Sequence, residues 1–228
     1  MFGTDYAVRG RIAAFMAQVY GWMAFALCIT AAVSYGIASN LSLFSYIFSN
    51  RSIPILLFVV QIGLVIALSS LVRYMNYATA VLLFVLYAAT LGVTMSTIFF
   101  AYSLSAIYMA FFITGGTFGA MALYGYTTKT DLSSMGSFAI MALFGLILSQ
   151  FVNMYFQSAF ADQLISGIGV LLFTALTAYD VQNIKQFALI QTGDEQEKNK
   201  GALLGALVLY LDFINLFLFI LRFMNKKD

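Results

Sequence analysis

Long apolar stretches alternate with short polar breaks along this chain, and the pattern predicts helices that cross a membrane. A transmembrane helix needs about 20 consecutive apolar residues, because the hydrocarbon core of a bilayer is about 30 Å thick. Such stretches occur at about residues 15–38, 53–72, 77–99, 104–126, 135–157, 164–184 and 202–223. The sequence lacks the period-two alternation of β-barrel strands. We therefore predict an all-α integral membrane protein with seven transmembrane helices, built as a single membrane domain over residues 1–228.

Polar residues mark the predicted loops between these helices. Ala161-Asp162 separates the fifth and sixth stretches, and the polar segment 191–200 separates the last two. The first stretch follows Arg9 and Arg11, as in a secretory signal peptide, but it exceeds the roughly 7–15 apolar residues of such a signal. An uncleaved first transmembrane helix is the better interpretation.

Basic residues predict which side of the membrane each loop occupies, because cytoplasmic loops carry an excess of lysine and arginine. If the N-terminus is inside, the inner loops hold Arg9, Arg11, Arg73, Lys129, Lys185, Lys198 and Lys200, and the outer side holds Arg51, Arg222, Lys226 and Lys227. This excess predicts a cytoplasmic N-terminus. After an odd number of spans, the C-terminus is then outside.

Composition narrows the chemistry that this protein can perform. The chain is 62% hydrophobic and 9% charged, whereas soluble domains are about 25% charged. A net charge of +2, scattered along the chain, predicts no nucleic-acid partner. With no histidine and only Cys28, the chain lacks disulfides, metal sites built on cysteine or histidine, and histidine-assisted nucleophiles. We expect no cofactor, and any pH response near neutrality must use carboxylates.

A carboxylate interrupts the last apolar stretch. Asp212 lies within VLYLDFINLFLFILRF, residues 208–223, and a charge at the centre of a membrane helix costs at least about 2.5–3.5 kcal/mol. Gly201, Gly205 and Asp212 share one helical flank, with Asn215 slightly to one side. Helix packing explains the glycines. Packing does not require a carboxylate, so we interpret Asp212 as functional and Asn215 as a supporting polar residue.

A second carboxylate lies near the end of the sixth stretch. Asp180 shares a helix face with Thr177, another candidate supporting residue. Alternatively, Asp180 pairs with Lys185 or extends to water at the helix end. In the predicted orientation both aspartates lie in the inner half of the membrane, about 9 Å apart in depth. Modest helix tilt would then bring Asp180 into contact with Asp212.

Arg73 ends the second stretch at its predicted inner end. The positive-inside rule explains it as an ordinary membrane anchor. It is also the cation best placed to balance two carboxylates in the inner half of the membrane. Both interpretations, anchor and latch, stay open.

Several stretches of the sequence resemble the Bax inhibitor family, the transmembrane Bax inhibitor motif proteins. The strongest resemblance is in the last helix, and a segment of the first helix is similar to the bacterial branch of the family. The stretches are LYLDFINLFL at 209–218, TAYDVQNIK at 177–185, LYGYTTKTDL at 123–132 and MAQVYGW at 16–22.

This resemblance implies a seven-helix fold whose last helix is central and wrapped by the other six. It also implies a slow, pH-sensitive calcium leak gated by two aspartates, which correspond to Asp180 and Asp212. The arginine latch of the family corresponds to Arg73. A bacterial member is expected in the inner (plasma) membrane.

The chemistry of the aspartates favours transport. Two carboxylates in a low-dielectric site cannot both ionise cheaply, so we expect them to share a proton and titrate as a unit. Their oxygens suit Ca²⁺ or H⁺, so we expect transient Ca²⁺ contact at Asp180 and Asp212 and no resident metal. The leading hypothesis is a pH-sensitive Ca²⁺ leak channel or transporter, with the lipid bilayer and Ca²⁺ or H⁺ as its partners.

Two alternatives remain beside transport. One is a regulator that binds other membrane proteins, such as a quality-control protease. The other is an intramembrane aspartyl protease, since those enzymes also carry aspartates on their sixth and seventh helices. Their second motif is Gly-x-Gly-Asp, whereas LYL at residues 209–211 precedes Asp212, and their proline motif is missing because Pro54 is the only proline. We therefore expect no enzymatic activity.

Overall fold

The computed structural model describes residues 2–190 and 194–225, with side chains from Val8 onward. This part of the chain folds into helices and contains no strand. The α-helices are α1 (Phe2–Ala38), α2 (Leu41–Ser49), α3 (Ser52–Leu71), α4 (Tyr77–Met95), α5 (Ile98–Ala101), α6 (Leu104–Thr127), α7 (Ser133–Phe156), α8 (Ala159–Ile190) and α9 (Glu195–Met224), and a 3₁₀ turn, Val72–Tyr74, follows α3.

Seven helical segments are long and apolar enough to cross a membrane, which confirms the predicted fold class. They are Val8–Ala38, Ser52–Tyr74, Tyr77–Ala101, Leu104–Thr127, Ser133–Phe156, Ala159–Ile190 and Glu195–Met224. The last is the most buried, since 72% of its apolar window is inside the protein against 17–50% for the others. The chain is therefore a membrane protein whose last helix is packed by the other helices.

Two predicted loops were wrong, and one short helix was missed. Residues 161–162 and 195–200 are helical rather than loops, and residues 191–193 of the second predicted loop lie outside the described residues. Both helix starts are capped: Ser158 Oγ accepts from Ala161 N at 3.3 Å, and Asp194 Oδ1 accepts from Glu197 N at 2.8 Å. Acidic residues in the first turn also stabilise a helix, because their negative charge lies near the positive end of the helix dipole. In addition, α2 is a helix that hydropathy missed because nine residues are too few to span a bilayer.

The chain divides into two compact units. Unit 1 comprises Met1–Ser103 and Ala188–Tyr210, and unit 2 comprises Leu104–Phe187 and Leu211–Asp228. Helix α9 thus contributes its first half to unit 1 and its second half to unit 2. The single membrane domain over residues 1–228 stays a prediction.

In unit 1, polar side chains join helices that apolar contacts alone would hold loosely in lipid. Thr30 of α1 donates to the Ala88 carbonyl of α4 at 3.0 Å, and its Oγ1 lies 2.6 Å from the Tyr210 hydroxyl of α9. Between α3 and α4, Gln61 Nε2 donates to the Thr90 carbonyl at 2.9 Å. These bonds fix the relative rotation of four helices.

In unit 2, α8 and the second half of α9 pack antiparallel. A Cβ at Gly169 would lie 2.5 Å from the Phe219 ring, so only a glycine lets the helices approach this closely. The Phe173 ring stacks on Phe219 with centroids 5.6 Å apart. Towards the other end of the same face, Asp180 meets Asp212. The close contact at Gly169 therefore sets the register that brings the two aspartates together.

Candidate functional site

Asp212 is a buried carboxyl group in an apolar setting. Only 5% of the residue is exposed, and its Oδ2 has no hydrogen-bond donor among the described residues. The next residue, Phe213, packs edge-on against Phe111 and Phe118, with centroids 5.7 and 5.5 Å away. A buried carboxyl oxygen without a donor is costly, and such groups in native proteins call for an explanation.

The half-buried Asp180 lies beside this carboxyl group. Its carboxyl group lies within hydrogen-bonding distance of the Asp212 side chain. The sequence estimate placed the two about 9 Å apart in depth, but the antiparallel register of α8 and α9 aligns them. The structure therefore brings together the two residues that hydropathy analysis singled out.

A carboxylate only accepts hydrogen bonds, so two carboxyl groups bond to each other only when one of them carries a proton. Two charges 4 Å apart would repel by about 4 kcal/mol at an effective dielectric constant of about 20. The pair is thus built to share a proton and to titrate as one system.

Lys185 is engaged elsewhere. Its Nζ donates to the Tyr126 carbonyl at 2.6 Å and lies 5.0 Å from the centroid of the Tyr126 ring. These contacts hold the end of α8 against the end of α6. The alternative in which Lys185 serves as the partner of Asp180 therefore has no support from this geometry.

The candidate supporting residues bond within their own helices. The fully buried Thr177 donates to the Phe173 carbonyl at 2.7 Å, and Asn215 Nδ2 donates to the Leu211 carbonyl at 2.8 Å. Both flank the aspartates by about one turn. Their supporting roles stay predictions.

Arg73 lies in the 3₁₀ turn of unit 1, with an exposed side chain. Its carbonyl, together with that of Met75, accepts from Lys200 Nζ at 3.4 and 3.2 Å. The latch role of Arg73 stays a prediction.

Sequence reasoning missed Gln182, which joins unit 2 across 50 residues of chain. Its Oε1 accepts from Leu132 N at 2.9 Å, and its Nε2 donates to the Thr130 carbonyl at 2.8 Å. A signal was present, because an amide within the TAYDVQNIK stretch (177–185), two residues after Asp180, also needs a partner when buried.

The oxygen donors of the pair suit a passing cation. Among the described residues, no group of three or more His, Cys, Asp or Glu side chains is arranged to hold a metal ion. Ca²⁺ takes six to eight oxygen ligands in a tight site, and two carboxyl groups offer at most four. Asp180 and Asp212 alone therefore do not complete a resident Ca²⁺ site.

Comparison with known proteins identifies the family. The family described as "Inhibitor of apoptosis-promoting Bax1" matches residues 12–228. The chain belongs to this Bax inhibitor family. The resemblance that the sequence motifs indicated is therefore confirmed.

Bacterial proteins match nearly the whole chain. An uncharacterized protein of Borreliella burgdorferi is 46% identical over 213 residues, covering 93% of this chain and 92% of the relative. The inner membrane protein YbhL of Escherichia coli K12 is 43% identical over 220 residues, covering 96% and 94%. A protein of Deinococcus radiodurans is 43% identical over 225 residues, covering 99% and 96%.

Proposed function

We propose that this protein is a pH-sensitive Ca²⁺ leak pathway and that Asp180 and Asp212 form its gate. The observation that carries the proposal is the buried carboxyl pair, in which the Asp212 side chain lies within hydrogen-bonding distance of Asp180 while its Oδ2 has no hydrogen-bond partner among the described residues. An intramembrane carboxyl in this position is functional by default, because lipid and packing both disfavour it.

The gate follows from the chemistry of the pair. While one proton is shared, Asp180 holds α8 against α9 and the pathway is closed. When that proton leaves, two carboxylates face each other in a low-dielectric site, and either water or a cation must enter to relieve the repulsion. Ca²⁺ is a suitable cation because it binds carboxylate oxygens and tolerates variable geometry. Flux therefore rises as pH rises.

The proposal is transport rather than catalysis. An aspartyl protease needs open backbone beside its aspartates to receive a peptide. Here Leu209 and Tyr210, which precede Asp212, are fully buried. This packing supports transport over peptide cleavage, because it covers the chain segment where those enzymes receive a peptide.

We further propose that the protein resides in an inner membrane, as the name of YbhL states for that relative. The excess of basic residues on one set of loops supports a cytoplasmic N-terminus and an external C-terminus. Reporters fused to each end test this orientation, and two ends on the same side would contradict it.

The test of the gate is Ca²⁺ flux into liposomes that contain the purified protein, measured between about pH 6 and pH 8. Asp212→Asn and Asp180→Asn keep the side-chain shape and remove the charge, so each should flatten the pH dependence of flux. The double variant should add little, because the two residues act as one system. The control is Asp162→Asn, at the other end of α8, where the Asp162 side chain is 47% exposed and its Oδ1 lies 4.0 Å from Arg222 Nη1.

Two outcomes would overturn the proposal. One is a pH dependence that survives the double variant, since the pair would then not be the sensor. The other is a wild-type protein without Ca²⁺ flux at any pH, which would favour a regulatory role through binding of other membrane proteins.

A further inference from the structure

The loop between α6 and α7, residues 128–132, is fastened to α8 by one side chain. The buried amide of Gln182 accepts a hydrogen bond from Leu132 N at 2.9 Å and donates one to the Thr130 carbonyl at 2.8 Å. Leu132 is itself only 5% exposed. A single amide thus bonds the backbone N–H of the buried Leu132, which would otherwise lack a partner, and the backbone carbonyl of the exposed Thr130.

The helices that flank this loop also grip α8. A Cβ at Gly125, near the end of α6, would collide with the backbone of Ala178. At the start of α7, a Cβ at Gly136 would lie 2.5 Å from the Tyr179 ring. Asp180 is the next residue along α8. The segment of α8 that carries the gate is therefore held in close contact with α6, α7 and the loop between them.

Helical geometry places Gln182 on the face of α8 opposite Asp180. Residues two apart differ by about 200° around a helix and by about 3 Å along it. Asp180 faces Asp212 on α9, so Gln182 points away from α9, towards the loop. A rotation of α8 large enough to separate the two aspartates must also pull Gln182 from the loop backbone.

We propose that Gln182 is a positioning residue for the gate. Its two hydrogen bonds hold α8 at the rotation that keeps Asp180 on Asp212, and their release accompanies opening. This inference rests on the proposed function for its transport consequence. The charged or titratable groups around the contact are Asp180, Asp212, Lys185, Tyr126, Tyr179, Lys129 and Asp131.

The decisive variant is Gln182→Met, which has nearly the same length and makes neither hydrogen bond. Loss of two hydrogen bonds should shift the equilibrium between closed and open protein by on the order of tenfold towards open. Flux at about pH 6 should therefore rise towards its value at about pH 8. Gln182→Glu keeps the acceptor for Leu132 N and loses the donor to Thr130, so it should fall in between. Gln163→Met, an exposed position on the same helix, is the matched control.

Hydrogen exchange provides a measurement that needs no transported ion. The amide of Leu132 exchanges only when the Gln182 contact opens. In the wild-type protein, opening of this contact should become more frequent when the shared proton leaves the pair. Asp212→Asn should remove that dependence, and Gln182→Met should raise exchange at every pH after correction for the intrinsic rate.

The outcomes separate this inference from the proposed function. If the wild-type protein carries no Ca²⁺ but exchange at Leu132 still follows the protonation of the pair, the transport proposal fails and the coupling stands. If Gln182→Met lowers thermal stability and leaves both the pH profile of flux and the pH dependence of exchange unchanged, Gln182 is structural and the inference is overturned. Gln182→Glu supplies the same test if the methionine variant does not fold.

Discussion

Two buried polar sites lie two residues apart along α9, and they differ in how their hydrogen bonds are satisfied. In unit 1, Thr30 has one hydroxyl hydrogen, and it goes to the Ala88 carbonyl. The Tyr210 hydroxyl, 2.6 Å from Thr30 Oγ1, must therefore be the donor to Thr30. In unit 2, Asp212 keeps a buried oxygen, Oδ2, that has no hydrogen-bond partner among the described residues.

This difference distinguishes a structural site, at Tyr210 and Thr30, from a switch, at the aspartate pair. The chain from Tyr210 through Thr30 to Ala88 is neutral and complete, so changes of pH near neutrality leave it as it is. Unit 1 also contains a buried hydroxyl without a described partner, Ser34 Oγ, but an unpaired neutral hydroxyl costs far less than an unpaired charge. Only the aspartate site stores an unfavourable group whose state a proton or a cation can change.

The largest expected effect is on stability at the complete site. Tyr210 is fully buried, with the Tyr87 and Phe84 rings edge-on at 6.0 and 6.3 Å. Tyr210→Ala should lower the free energy of unfolding by about 3–5 kcal/mol, because it leaves a cavity and removes the hydroxyl that donates to Thr30 Oγ1. Thermal unfolding in detergent measures this. A loss below about 1 kcal/mol would show that the site is not structural.

The second prediction is that a substitution at the aspartate site does not lower the stability of the protein. Asp212→Asn removes a buried charge without changing the shape of the side chain, so stability should be unchanged or higher by about 1–2 kcal/mol. The same thermal measurement applies. If Asp212→Asn destabilises as strongly as Tyr210→Ala, the pair is structural and the contrast between the two sites disappears.

Hydropathy predicts the seven spans because the requirement for about 20 apolar residues is met separately by each helix. Hydropathy fails where tertiary contacts keep a polar segment of the chain helical. At the start of α9, Asn199 accepts from Gln18 of α1 at 2.8 Å, and Lys200 bonds backbone carbonyls after α3. Those partners are distant in sequence, so the polarity of residues 195–200 indicated a loop.

The aspartates were identified from sequence because a carboxylate in an apolar helix is conspicuous wherever its partner lies. Their alignment was not predictable, since it depends on the register that Gly169 and Phe219 set between two helices. Gln182 and Tyr210 were missed for a related reason. An amide or a phenol in an apolar segment is common, and only its partners distinguish an essential contact from an exposed one.

The smallest effect on stability and flux is expected at Asp131, another carboxylate of unit 2. Unlike the aspartate pair, it is exposed and its hydrogen bonds are satisfied. It lies in the exposed loop before α7, where its Oδ1 accepts from Ser133 Oγ at 2.7 Å and from Ser133 N at 2.9 Å. These hydrogen bonds lower the pKa of Asp131 from its ordinary value of 3.8. Because the folded-state pKa is lowered, Asp131 stabilises the protein above its ordinary pKa, and this contribution is lost only as pH falls through the lower value.

Asp131→Asn should therefore change little near neutrality. Asparagine still accepts from Ser133 N, so the melting temperature should fall slightly, by the same amount from about pH 6 to pH 8, and approach that of the wild type only below about pH 4. The pH profile of Ca²⁺ flux should match the wild type across the neutral range. A flattened profile in this variant would mean that an exposed carboxylate with satisfied hydrogen bonds contributes to sensing, and the distinction between satisfied and unsatisfied acids would fail as the basis of the gate.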